Sequence, residues 1–309
     1  QDKLVRSMLI GALWDMVLET RISIYEFVDF ALVHLPKETD LTISTYLVER
    51  FVSRWEATSF LAIASQDNEA AQKTFNQYRQ KMENLIWTLF ETDGQTHDAQ
   101  IMYFDALLRL AYSETTLAKL HSLLTGKTVL KGFTLDQDRR WDVIKKLVEY
   151  STPNIQPLID TETANDKSDS GRKALLAIEA IRPGLENKNK WLAKIFNRKT
   201  EMSNADVKVI TRNLLPSSQK KTRMELSSVY YKQIPKFKDE SDISYVENLV
   251  ENLAPLNCSK ETALKIKTLA QPKYALNSSV RRSLVDLSFW DDKCEKIKSF
   301  SWKAFSAIN

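Results

Sequence analysis

Apolar residues recur at intervals of three and four through nearly the whole chain, which is the spacing that places them on one face of an α-helix. Trp141, Ile144, Leu147 and Val148 form one such stripe. No segment shows the sustained alternation of apolar and polar residues that is typical of a half-buried β-strand. The pattern therefore predicts a protein built of amphipathic helices.

Start and stop signals place the limits of these helices. Ser23 is a residue type that caps helix N-termini, Pro36 stops the helix that follows, and Asp93-Gly94 interrupts a longer pair. The predicted segments are a first stripe of Val5, Leu9, Ala12, Leu13, Met16 and Val17, a helix over 24–35, a pair over 41–64 and 68–91, one from Ser168 or Asp169 to Arg182-Pro183-Gly184, one over 188–197, and a last one from Ser278 onward.

Glycine and proline are scarce, at 6 and 8 of 309 residues. This scarcity argues against a turn-rich β-sandwich or barrel and favours long helices with short connections. Successive amphipathic helices stack as antiparallel pairs into a curved superhelix in HEAT and armadillo proteins, which bind partners on the concave face. We therefore predict an all-α fold without significant sheet, a single α-solenoid domain over residues 1–309.

The net charge of +4 conceals an uneven distribution. Residues 171–238 hold 16 Lys and Arg against 5 Asp and Glu, a net charge of +11, and the remainder holds 28 against 35, a net charge of −7. One interpretation is a set of solvated helix faces. The other is a surface that attracts an anion, such as a peptide carboxylate, an acidic partner or nucleic acid. Nucleic acid is disfavoured because interleaved aromatic residues and a recognisable motif are missing.

The two cysteines and the apolar runs bear on the compartment. Cys258 and Cys294 are too few and too widely separated for a disulfide framework or a zinc knuckle, so we expect two reduced thiols in the core of a cytoplasmic protein. Asn257-Cys258-Ser259 and Asn277-Ser278-Ser279 match the N-glycosylation sequon, a pattern that also arises often by chance. No apolar run reaches the roughly 18 to 20 residues that span a bilayer, so no membrane partner is predicted.

The sequence offers no catalytic residue and no metal ligand. None of His34, His97 and His121 is followed by glutamate, so the His-Glu-x-x-His helix of zinc peptidases is missing. There is no Gly-x-Ser-x-Gly nucleophile elbow either. Residues 125–128 imitate the end of a phosphate-binding loop without its earlier glycine or preceding strand. The acidic residues within 160–169 lack the spacing of a calcium loop and suit helix capping and solvated charge.

One part of the chain resembles a known family. Residues 123–141 read LLTGKTVLKGFTLDQDRRW, which is similar to the string that links two helices in bacterial aminopeptidase N. Gly171-Arg172, Arg182-Pro183 and Trp191 follow in the same order, and 12–16 looks like an opening helix of that domain. The chain thus resembles, over essentially its whole length, the endoplasmic-reticulum-aminopeptidase-like C-terminal domain.

The resemblance implies a noncatalytic domain of a zinc aminopeptidase, an enzyme that removes N-terminal residues from peptides. In this family the helical domain arches over the active site and closes a chamber that admits peptides. Zinc and the catalytic residues would lie on a catalytic domain outside this chain, so the chain itself would hold no cofactor. Its partners would be peptide substrates and the catalytic domain of the same polypeptide. We accordingly expect the chain, which begins at Gln1, to be a piece of a longer protein.

Basic residues provide a hypothesis for peptide binding. Carboxylates near zinc hold the substrate amine, so its carboxyl end must be accommodated elsewhere, and the planar fork of arginine suits a carboxylate. The residues predicted to face the peptide are Arg139, Arg140, Arg172, Arg182 and Lys188. In the competing structural interpretation, Arg140 pairs with Asp136 or a helix carboxyl end and Trp141 packs between helices.

A second function class remains open, a free-standing helical-repeat scaffold that binds a protein partner on its concave face. The two interpretations differ in one simple respect. An aminopeptidase requires a His-Glu-x-x-His helix encoded upstream in the same reading frame, and a scaffold does not.

Overall fold

A computed structural model describes residues 2–52, 69–198 and 202–308. Within these ranges all regular structure is helical, apart from one isolated bridge between Leu130 and Phe133, which confirms the predicted all-α fold. No helix in the described ranges is long and apolar enough to cross a bilayer. The α-helices described are α1 (Lys3–Leu18), α2 (Ile24–His34), α3 (Leu41–Val52), α4 (Glu69–Glu91), α5 (His97–Leu110), α6 (Glu114–Leu124), α7 (Gln137–Glu149), α8 (Gln156–Asn165), α9 (Asp169–Ile181), α10 (Leu185–Ile195), α11 (Asn204–Leu214), α12 (Lys220–Glu225), α13 (Ser227–Gln233), α14 (Ile243–Leu253), α15 (Lys260–Leu269) and α16 (Ser278–Ile308).

The helices pack in a regular order. Helices α3, α5, α7, α9, α11, α14 and α16 contact one another in succession, so that they form a continuous row. Helix α4 packs against α5 across the short connection 92–96, which requires the two to run roughly antiparallel. This order of contacts is consistent with a stack of helix pairs of the solenoid type.

The last helix returns to the first ones. Helix α16 contacts both α1 and α2. The backbone N–H of Ile24 donates to the hydroxyl of Ser301 at 2.9 Å, and the ring of Tyr25 packs on that of Phe305 with centroids 4.5 Å apart. The C-terminal helix therefore joins the N-terminal helices to the second half of the chain.

Apolar side chains gather in two cores. One collects residues from α1 through α9 and from α16, and the other collects residues from α9 through α16. Ala180 and Ile181 are neighbours in α9 but belong to different cores, so α9 and α16 are shared by both. The organisation of the chain as one domain over 1–309 stays a prediction.

Helix ends follow local sequence signals. The hydroxyl of Ser23 accepts from the N–H of Glu26, whose carboxylate accepts from the N–H of Ser23, which is a complete capping box. Ser168 caps α9 through its hydroxyl, as predicted. The helix predicted over 41–64 is described only as far as Val52, so its predicted end lies outside the described residues.

The predicted buried face of α1 is largely wrong. Val5 and Leu9 were expected to face the core but are 47% and 54% exposed, whereas Ile10, Trp14 and Val17 are buried. Helix α1 is apolar around most of its circumference, so the spacing of apolar residues does not select one face. The large indole of Trp14 gains most from burial and decides the orientation.

The expectation of two reduced thiols is also wrong. Cys258 and Cys294 form a disulfide, with Cα atoms 5.0 Å apart and a sequence separation of 36 residues. Helix α15 lies within that separation and folds back on α16, which brings the distant cysteines together. The cytoplasmic compartment was inferred from reduced thiols, so that prediction loses its support.

Candidate peptide-binding surface

The connection between α6 and α7 carries the most distinctive part of the sequence. Helix α6 ends with Gly126 at a φ of 72°, where the N–H of Lys127 donates to the carbonyl of Ser122 at 2.9 Å and that of Gly126 to Leu123 at 3.2 Å. This is a Schellman motif. The N–H groups of Gly126 and Lys127 are bound to carbonyls in the last turn of α6. This agrees with the rejection of a phosphate-binding loop at this point.

Arg140 is held by an ion pair with a buried carboxylate. Its Nε donates to the two oxygens of Glu162 at 3.0 and 2.9 Å, its Nη2 donates at 2.7 Å, and its Nη1 donates to the carbonyl of Leu124 at 3.3 Å. Burial acts to raise the pKa of Glu162, but hydrogen bonds from Arg140 and Gln137 outweigh it and lower that pKa. Leu124 is the last residue of α6, so Arg140 pairs with a helix carboxyl end, as the structural interpretation expected.

Arg139 is likewise held by carboxylates of the chain. Its Nε and Nη2 donate to the two oxygens of Asp105 at 3.0 and 3.1 Å, and its Nη1 donates to Asp136. Asp105 lies in α5 and Asp136 caps α7, so the guanidinium joins the start of α7 to α5. Its bidentate geometry is the one that was proposed for a peptide carboxylate.

Trp141 packs between helices and fixes the acidic segment. It is 4% exposed, and its indole N–H donates to Asp166 at 2.8 Å. Hydrogen bonds from Ser168 and Trp141 lower the pKa of Asp166. A Cβ at Gly171 would lie 2.5 Å from Cγ of Asp166, so only glycine allows this approach. Asp166 is therefore engaged within the chain, as the capping interpretation of 160–169 expected.

Arg172 and Arg182 lie at opposite ends of α9. Arg172 bridges Asp169 at 3.0 Å and Asp206 at 2.8 Å, which links α9 to α11. Arg182 donates to the side-chain oxygen of Gln156 at 2.9 Å and to a glutamate one turn earlier in α9. Both arginines are partly open to solvent.

Lys188 is fully buried. Its ammonium donates to the carbonyls of Ala180 at 2.8 Å and Ile181 at 3.1 Å, which are among the last acceptors of α9. Burial lowers the pKa of Lys188 to about 7. The side chain therefore caps the carboxyl end of α9 and has no solvent-facing surface.

The five predicted residues lie on α7, α9 and α10 or at the end of α9. Each cationic group is bound to a carboxylate, amide or carbonyl of the chain itself, and a peptide would have to displace those partners. Their role in peptide binding stays a prediction. Other basic residues of 171–238 are also exposed to solvent, among them Lys190, Lys208, Arg212, Lys221, Lys232 and Lys236.

An open groove of about 850 Å³ runs along α4. Its described lining residues are Glu69, Gln72, Lys73, Asn76, Gln77, Gln80 and Lys81. Gln72, Asn76 and Gln80 are spaced by four residues, so their amides form one row along the helix. Nε2 of Gln72 donates to Oδ1 of Asn76 at 3.1 Å, and an amide group has further donor and acceptor positions beyond such a bond. Sequence reasoning missed this groove because it looked for charge, and the available signal was the regular spacing of amides.

His34 takes part in helix packing, and the backbone of His121 takes part in a contact at the end of α6. The ring of His34 lies 4.4 Å from that of Phe30, and the carbonyl of His121 accepts from the hydroxyl of Thr125 at 2.9 Å. Across residues 2–52, 69–198 and 202–308, no group of three or more His, Cys, Asp or Glu is arranged to hold a metal ion.

Comparison with known proteins agrees with this all-helical architecture. The sequence matches the family model named ERAP1-like C-terminal domain over residues 1–287. No curated protein sequence matches the chain. The matched span covers the region 123–191 that carried the resemblance and most of the described helices. The chain therefore belongs to the ERAP1-like C-terminal domain family, the helical C-terminal domain of aminopeptidase-type proteins.

Proposed function

We propose that this chain is the noncatalytic C-terminal domain of a zinc aminopeptidase, where it caps the active site and shapes the chamber that holds peptides. The observation that carries the proposal is the family match over residues 1–287. The continuous row of helices from α3 to α16 supports it, because stacked helices present an extended surface to a ligand. The catalytic domain supplies zinc and the general base.

The outer face of α1 supports docking against that catalytic domain. Leu4, Val5, Met8 and Leu9 lie within two turns on one side of the helix and are between 47% and 67% exposed. Single exposed apolar residues are common, but a contiguous group is typical of an interaction surface. The opposite side of α1 packs on α2, α3 and α16, which anchors the helix. The catalytic domain is the partner that the family membership provides.

Two surfaces suit a peptide of any sequence. Lys208 and Arg212 extend into solvent one turn apart on α11, a member of the row of successive helices, and together attract the peptide carboxylate. The amides along α4 have the donors and acceptors that match the N–H and C=O groups of a peptide backbone. Both surfaces would contact groups that every peptide carries, so neither surface requires a particular peptide sequence.

The proposal is tested by reversing two charges in the complete enzyme. The double substitution Lys208→Glu and Arg212→Glu is expected to raise KM for peptides about fivefold to tenfold, since each exposed ion contact contributes about 0.2 to 1 kcal/mol and reversal adds repulsion. Hydrolysis of a single aminoacyl amide, which is too short to reach α11, keeps its kcat/KM.

The matched control reverses two exposed lysines of α15, Lys260→Glu and Lys267→Glu, outside the basic segment. The control is expected to leave both substrates unaffected. Equal KM values for peptides in the wild-type enzyme and the α11 variant would remove Lys208 and Arg212 from peptide binding.

A free-standing scaffold is the second candidate, because the apolar face of α1 suits any protein partner. The reading frame upstream of Gln1 separates the two. A His-Glu-x-x-His helix encoded there supports the aminopeptidase, and its absence from the complete gene supports the scaffold.

A further inference from the structure

The disulfide between Cys258 and Cys294 bears on the N-glycosylation sequons, a sequence pattern that by itself often arises by chance. Disulfides form and persist in oxidising compartments, which are also where asparagine side chains receive N-linked glycans. The chain has two Asn-x-Ser sequons, at Asn257 and at Asn277. Their surroundings in the fold differ, so the structure separates them.

Asn277 lies at the surface, immediately before α16 begins. Asn277, Ser278 and Ser279 are all exposed. The side-chain oxygen of Asn277 accepts from the N–H of Ser279 at 2.9 Å, which leaves Nδ2 directed away from this cap. The hydroxyl of Ser279 is held by Glu247. A glycan on Nδ2 would extend into solvent without breaking any of these contacts.

Asn257 is enclosed. It is half-buried, its backbone N–H donates to Asp291 at 2.8 Å, and its side-chain oxygen is buried. The next residue, Cys258, is 2% exposed, has a φ of 48° and forms the disulfide with Cys294. A glycan at Asn257 would have to leave from a half-buried side chain next to the buried disulfide, in a segment whose backbone is held by Asp291.

We propose that the chain matures in an oxidising compartment and carries an N-linked oligosaccharide on Asn277 but not on Asn257. The donor is a lipid-linked oligosaccharide diphosphate. Nδ2 of Asn277 forms a bond to the anomeric carbon of the first sugar and loses one proton, while the bond from that carbon to the diphosphate oxygen breaks and the diphosphate leaves with the electron pair. At the disulfide, two thiols lose two protons and two electrons to a disulfide oxidant of the compartment.

The experiment is peptide mapping of the complete protein isolated from its natural source. Without reduction, a cross-linked peptide joining Cys258 to Cys294 is expected. Treatment with peptide N-glycosidase in heavy-oxygen water converts each glycosylated asparagine to labelled aspartate. The label is expected at residue 277, while residue 257 stays asparagine.

Two variants expressed in the same cells complete the test. Asn277→Gln is expected to lose the glycosidase-sensitive mass shift in the peptides that come from residues 1–309, and Asn257→Gln is expected to retain it. An unmodified Asn277 in the natural protein overturns the proposal, whether or not the disulfide is present. A glycan on Asn257 overturns it as well, because the enclosure of that residue would then not decide the outcome.

Discussion

Arg140 and Glu162 form a bidentate ion pair in which the carboxylate side chain is 2% exposed and the guanidinium side chain 32% exposed. The pair joins α7 to α8, and Arg140 also reaches the end of α6 through Leu124. A residue predicted to bind the carboxylate of a peptide therefore binds a carboxylate of its own chain. The geometry expected for recognition serves the packing of three helices.

Replacing Arg140 with alanine is expected to lower the free energy of unfolding by about 1.5–3 kcal/mol. The substitution leaves Glu162 buried without its cation, and the cost is below that of a fully enclosed pair because the guanidinium is about a third exposed. Urea unfolding of the chain measures it. The double variant Arg140→Met and Glu162→Met is expected to recover part of the loss, and a single variant as stable as the wild type would contradict this account of the pair.

Lys188 predicts a dependence of stability on pH. Its pKa is about 7 in the folded chain and close to the ordinary lysine value of roughly 10.4 when unfolded. Between these values the unfolded state binds more protons, so the free energy of unfolding rises with pH. Between pH 7 and pH 9, the free energy of unfolding is expected to rise by about 2 kcal/mol more for the wild type than for Lys188→Met.

The neighbouring Lys190 is exposed and provides the control, because Lys190→Met removes the same charge without removing a buried ammonium. The pH profile of the Lys190 variant is expected to run parallel to that of the wild type. A Lys188→Met profile that is also parallel would show that the buried ammonium does not set this slope.

Gly171 and Gly126 are expected to respond differently to alanine. A Cβ at Gly171 meets the side chain and the carbonyl of Asp166 at 2.5 and 2.8 Å, so α9 must shift, at a cost of about 2–3 kcal/mol. Gly126 has open space around it, so alanine there meets no neighbouring atom. Its cost comes from the positive φ alone and is expected to be about 1 kcal/mol. Thermal unfolding of the two variants tests the order, and an equal loss would contradict the close approach at Asp166.

The disulfide is expected to stabilise the chain by about 2–4 kcal/mol, since it closes a loop of 36 residues between Cys258 and Cys294. Replacing both with serine lowers the free energy of unfolding by that amount. Reductant destabilises the wild type and leaves the double variant unchanged. Wild-type unfolding that is insensitive to reductant would show that the cysteines are not paired.

Much of the fold could be predicted because it depends on signals that are close together in the sequence. The spacing of Trp141, Ile144 and Leu147 places them on one face, and all three are buried. Ser23 and Ser168 cap the helices that they precede. These features need only neighbours within a few residues, which the sequence displays directly.

The candidate site could not be predicted because its contacts join distant segments. The partners of Arg139 and Arg140 include Asp105 and Glu162, which lie 34 and 22 residues away. Charge alone does not distinguish a side chain that binds a ligand from one that joins two helices. The disulfide poses the same difficulty, since Cys294 is brought near Cys258 only when α15 folds back on α16.

The most direct test of the central claim compares the complete enzyme with a form that lacks residues 1–309, using a single aminoacyl amide and peptides of increasing length. The zinc content of the shortened form confirms that its catalytic domain is folded. If this chain caps the active site and shapes the chamber, the shortened enzyme still hydrolyses the amide but loses its dependence of kcat/KM on peptide length. An unchanged dependence on length in the shortened enzyme would contradict the account.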